Sequence, residues 1–124
     1  MKVTLEDLRR IAEVEFGALV VDSAVLSEKM RLFLSDTSYI DAWLSRQISG
    51  RFGFHWERQH LDGTLYRYDN FPDPAWEKVT TYPYHFHNGS QVVVEAAPFA
   101  TDPLVGFREF LRFVETRLSA SAKQ

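Results

Sequence analysis

Residues 52–70, Phe52-Gly53-Phe54-His55-Trp56-Glu57-Arg58-Gln59-His60-Leu61-Asp62-Gly63-Thr64-Leu65-Tyr66-Arg67-Tyr68-Asp69-Asn70, decide the fold. Phe52, Phe54 and Trp56 alternate with Gly53, His55 and Glu57, the period of a strand with one buried face. Asp62-Gly63 is the dipeptide that favours a tight type I′ hairpin turn. A strand over about 52–60 is therefore expected to return as a second strand over about 64–69. A two-residue loop would set Arg58 opposite Arg67 and Trp56 opposite Asp69. A slip of one residue turns a whole strand's side chains to the other face, so the pattern leaves open whether His55 shares a face with Arg67.

Downstream, Phe71-Pro72-Asp73-Pro74 is rigid loop, since two prolines so close exclude a helix or a central strand. Trp76 is placed to anchor that loop. Thr80 to His87 reads as a strand with Pro83 confined to its start or to an edge. Asn88-Gly89 then turns the chain into Val92-Val93-Val94, a short buried strand. Upstream, Leu19-Val20-Val21, Met30 to Leu34 and Tyr39 to Leu44 are short β-rich runs split by polar clusters such as Ser35-Asp36-Thr37-Ser38.

Helices close both ends. Thr4 with Asp7 reads as a capping box ahead of a helix over roughly 5–16, with Gly17 as its stop. Asp102-Pro103 starts a second helix, whose stripe of Leu104, Phe107, Leu111, Val114 and Leu118 suits packing on the sheet. A dimer seam or partner groove is the alternative use of that stripe. The expected architecture is α+β: an antiparallel meander of five to seven strands with both helices on one face. The chain is read as one domain, with helix over 1–17, sheet over 18–97, helix over 102–118 and a frayed tail over 119–124.

The 124 residues suffice for a core without staples. With no cysteine there is no disulfide, thiol nucleophile or thiolate site, which is compatible with a cytoplasm. No apolar run is long enough to span a membrane, and the charged, amphipathic N-terminus lacks the uninterrupted apolar stretch expected of a signal peptide. A net charge of −3 gives no bulk attraction to nucleic acid. Ten arginines against four lysines suit planar recognition of phosphate, although such a bias also arises simply from nucleotide composition.

The chemistry concentrates between Tyr66 and Gly89. On a strand His85 and His87 share a face, as do Arg67 and Asp69, while Tyr82, Tyr84 and Phe86 point the other way. Arg67 beside Asp69 invites an ion pair that steadies the guanidinium. Three uses remain open. The imidazoles can exchange protons with a phosphodiester, with Arg67 on the phosphate. His-x-His can supply two metal ligands, completed by Asp69 or Glu95. Or the pair is hydrogen-bonded and inert.

The runs Tyr66-Arg67-Tyr68-Asp69-Asn70 and Tyr82-Pro83-Tyr84-His85-Phe86-His87-Asn88-Gly89 resemble the TumE-type toxin family of type II toxin–antitoxin modules. Arg67, Asp69, Asn70, Pro83, His85 and His87 match the family pattern. The chain departs from it at Phe71-Pro72-Asp73, where the family has Ala-Pro-His. The resemblance implies a cytoplasmic toxin neutralised by a helix-turn-helix antitoxin encoded nearby, acting on RNA as a metal-independent endoribonuclease. In that role His85, His87 and Asp69 are the catalytic candidates, and Arg67, Asn70, Tyr68, Arg58 and His55 bind substrate. No metal or cofactor is assigned. A non-catalytic module that binds the antitoxin or another protein, and a His-based metal protein, are the alternatives.

Overall fold

In the computed structural model, which describes residues 2–122, the strands follow one another as a meander. Strands β1 (Val20–Leu26), β2 (Lys29–Leu34), β3 (Tyr39–Leu44), β4 (Phe52–Arg58), β5 (Thr64–Asp69), β6 (His85–Asn88) and β7 (Val94–Ala96) form one seven-stranded sheet in sequence order. Every neighbouring pair is antiparallel. Helix α1 (Leu5–Glu15) and helix α3 (Pro103–Ala122) lie together on one face, as expected for the α+β class. Among the described residues no helix is long and apolar enough to cross a membrane.

Local sequence accounts for the helix starts. Thr4 and Asp7 form the reciprocal capping box, each side chain accepting from the other's backbone N–H. At α3 the Asp102 carboxylate accepts from Val105 N–H at 2.9 Å. This helix continues past the expected end at Leu118 to Ala122.

Alternation along the strands sends Met30, Leu32, Ile40, Ala42, Phe52, Phe54, Trp56, Tyr66, Tyr68 and Phe86 to the helix side. There they meet Leu8, Ile11, Phe107, Phe110, Leu111 and Val114 in one buried core. Aromatic rings dominate it, with Phe54 edge-on to Phe107 at 5.1 Å and Phe52 edge-on to Tyr68 at 5.2 Å. Edge-to-face contacts of this kind add to area burial.

Three expectations are corrected. The β4–β5 connection is not a two-residue Asp62-Gly63 loop: a single helical turn, α2 (Gln59–Asp62), intervenes, and Gly63 closes it in the left-handed conformation at φ 77°. The register is consequently Arg58 with Thr64 and His55 with Arg67. The strand expected from Thr80 is confined to His85–Asn88, because residues 80–83 form turns. The final strand starts at Val94, and Val92 and Val93 are exposed rather than buried.

Candidate functional site

The same alternation leaves polar groups on the uncovered face. Across β2 to β6 the register lines up Arg31, Asp41, His55, Arg67 and His87 as one row. One pair further along, Gly53, Asp69 and His85 make a second row. His55 and Arg67 therefore share a face, the point the sequence left open.

Arg67 is held in two ways. Its Nε donates to Asp69 Oδ2 at 2.7 Å, and its guanidinium lies over Gly53, where a Cβ would come within 2.7 Å of it. Glycine inside a strand often marks such a close approach. On the other side of Arg67, His55 Nε2 meets Glu57 Oε1 at 3.0 Å. A carboxylate there can only accept, so Nε2 carries the hydrogen and Nδ1 is left for other work. The Glu57 carboxyl is exposed to burial that would raise its pKa. Hydrogen bonds from His55 and from Gln59 outweigh this and hold it below the usual range.

Asp69, His85 and His87 are all buried. A carboxylate oxygen and one ring nitrogen from each histidine lie within 4.8 Å of one another. Asp69 Oδ1 accepts from Phe71 N–H at 2.9 Å and sits 3.3 Å from His85 Nε2. The outer nitrogen of each ring is fixed by the main chain: His85 Nδ1 donates to the Pro83 carbonyl at 2.9 Å, and His87 Nδ1 to the Gln91 carbonyl at 3.0 Å. Because a carbonyl only accepts, both Nδ1 atoms carry hydrogen and the neutral rings offer Nε2 lone pairs. Burial pushes the His87 imidazole below its ordinary pKa, with the Gln91 carbonyl opposing that shift.

The loop from Asn70 to Tyr84 covers this end of the face. Trp76, on a 3-10 turn capped by Asp73, stands edge-on to His87 at 5.8 Å and tilted over His85 at 6.4 Å. Phe71 stacks on Trp43 at 5.4 Å. A groove beside them is lined by Lys29, Arg31, Tyr39, Trp43, His55 and Arg67 among others.

The remaining candidates lie elsewhere. Tyr68 is fully buried on the helix side, where its hydroxyl donates to the Ala100 carbonyl at 2.7 Å. Arg58 is also on the helix side, over Trp56 and paired with Asp36 and Asp62. Asn70 accepts from Phe52 N–H at 2.9 Å and donates to the Gly50 carbonyl at 2.8 Å, both amide atoms spent on the backbone. Conversely, Gly53, Trp43 and Phe71 were not singled out as site residues. A glycine amid alternating aromatics was the signal for the first, and nothing local announced the stacked pair.

These features define a small α+β protein whose bare sheet face carries a buried carboxylate–imidazole cluster beside a clamped arginine. The chain belongs to the Toxin TumE family, whose family model matches residues 2–118. Membership bears out the resemblance carried by the Tyr66–Asn70 and Tyr82–Gly89 runs and makes the chain a toxin component of a toxin–antitoxin module, with an antitoxin as its implied partner. No curated protein and no solved structure gives a significant match.

Proposed function

We propose that this toxin acts on RNA as a metal-independent endoribonuclease, with the uncovered sheet face meeting the substrate. The observation that carries the reading is the cross-strand row His55, Arg67, His87. Neighbouring strands are about 4.8 Å apart, so Arg67 stands between His55 in the open groove and the buried His87, and a phosphate at Arg67 reaches both imidazoles once the Trp76 loop moves off His87. His87, kept neutral by burial, takes the 2′-hydroxyl proton. The 2′-oxygen attacks phosphorus, and the 5′-oxygen leaves with the Nδ1 proton of a His55 that enters the step as imidazolium, its Nε2–H held by Glu57. The products are a 2′,3′-cyclic phosphate and a 5′-hydroxyl. Arg67 neutralises the charge that grows on the phosphoryl oxygens, and Tyr39, Trp43 and Phe71 offer flat surfaces for bases.

Asp69 serves as a positioning residue for Arg67 in this scheme, and Phe71 N–H holds Asp69. The partner is an antitoxin of helix-turn-helix type, and a short reading frame of that kind beside the gene would support it. Purified toxin is expected to cut RNA in EDTA. His55→Ala and His87→Ala should each lower the rate by about 10²- to 10⁴-fold, the usual worth of a positioned acid or base. Cutting that persists unchanged in both variants rejects the scheme.

A further inference from the structure

The tautomers of His85 and His87 raise a question that proton transfer does not answer. His85 Nε2 has no hydrogen in the neutral ring, yet it faces Asp69 Oδ1 at 3.3 Å. Two lone-pair atoms at that distance repel unless a positive charge lies between them. A proton on His85 would answer this one contact, but it gives the matching tautomer of His87 no part in the answer. A cation shared by all three groups does.

We propose that Asp69, His85 and His87 form a binding site for one divalent first-row transition ion, with Zn²⁺ as the simplest occupant. Two imidazoles and a carboxylate are a donor set that such ions accept. Ligand bonds of about 2.0–2.2 Å at a tetrahedral centre set neighbouring donors roughly 3.4 Å apart, and the His85–Asp69 edge already measures 3.3 Å. The widest separation in the triad, no more than 4.8 Å, closes with a small inward shift of a ring.

The surroundings are those of ligands held by outer partners. Each histidine donates its second N–H to a main-chain carbonyl, Pro83 or Gln91. Asp69 is braced by Arg67 and by Phe71 N–H. Outer contacts of this kind fix the tautomer and aim the lone pair. Burial keeps the donors from bulk water. The site does not depend on the ribonuclease reading, but it shares His87 with it: a bound ion takes the lone pair that would accept the 2′-hydroxyl proton and stops cleavage.

The test uses untagged full-length toxin stripped with EDTA and titrated calorimetrically with ZnCl₂ and CoCl₂. One ion per chain is expected, and failure to bind either ion overturns the site. His87→Gln and Asp69→Asn should weaken binding at least about tenfold, a loss that even outer partners of a ligand can cause. Folded variants that bind as tightly as the parent would overturn it too. Should the variants unfold, proton NMR of the Co²⁺-loaded parent decides. Two strongly shifted, exchangeable ring N–H signals are expected from the carbonyl-bound Nδ1 atoms, and none would refute the assignment. RNA cleavage separates the two readings. Cutting in EDTA that Zn²⁺ suppresses supports both. Ion binding with no cutting under any condition leaves the site standing and removes the ribonuclease. Cutting only with the ion keeps the site and overturns metal independence.

Discussion

Gly53 shows how one missing side chain sets the position of another. A Cβ there would meet the Arg67 guanidinium at 2.7 Å and its central carbon at 3.3 Å. The guanidinium is the far end of a flexible chain, so it can swing away at little cost to the fold. Gly53→Ala is therefore expected to change stability by less than about 1 kcal/mol. RNA affinity should nevertheless fall, because Arg67 leaves its clamp beside Asp69; binding and thermal melts together read this. Gly106 is the contrast. A Cβ there would lie 2.5 Å from the Ala100 carbonyl oxygen and 3.3 Å from the Tyr68 ring, and backbone cannot swing aside. Gly106→Ala should cost about 1–3 kcal/mol, seen in a denaturant midpoint. Asn70 makes the same distinction among the named candidates. It matches the family pattern, yet both its amide atoms hold the start of β4. Asn70→Ala should lower stability by about 1–3 kcal/mol through the unpaired Phe52 N–H.

Among the elements, the strands were legible and the connections were not. Period-two alternation is set by the chain's own geometry, so β4 and β5 could be read from Phe52 to Asp69 directly. The connection between them could not. Asp62-Gly63 favours a tight turn, but Gly63 is used here to end the helical turn Gln59–Asp62, its N–H bonded to the Gln59 carbonyl at 3.2 Å. That choice settled the register and placed His55 beside Arg67. Tyr68 lies on the face opposite Arg67 and Asp69, as alternation requires, and is buried in the core. The loop before β6 has a consequence of its own. Trp76 packs against both buried rings of the cluster, so removing it should expose them. Trp76→Ala is expected to speed modification of His85 and His87 by diethylpyrocarbonate, measured by peptide mass, with His60 as the exposed internal reference. An unchanged rate would show that Trp76 does not shield them.

For the whole molecule, the uncovered face must stay polar without carrying unpaired charge, and Asp41 is central to that balance. It accepts from Arg31 at 2.8 and 3.0 Å and from Lys29 at 3.2 Å, joining β2 to β3 in the middle of the sheet. Burial alone would raise its pKa; the hydrogen bonds from Arg31 and Lys29 outweigh burial and hold it below 3.8. Asp36 is lowered in the same way by hydrogen bonds from Ser38 and Arg58, and Glu57 by those from His55 and Gln59. A carboxylate whose folded pKa lies below its unfolded value binds more protons when unfolded. Its stabilisation is then complete above about pH 4 and is lost as the pH falls through the unfolded and then the folded value. Asp41→Asn is expected to cost about 1–2 kcal/mol at neutral pH. Below pH 3 that difference should shrink, because the parent's own Asp41 becomes protonated there. Urea melts of both proteins across pH 2.5–7 measure the gap directly. A gap that stays constant down to the lowest pH would mean that the Asp41 charge contributes nothing, and that only its shape holds the two strands.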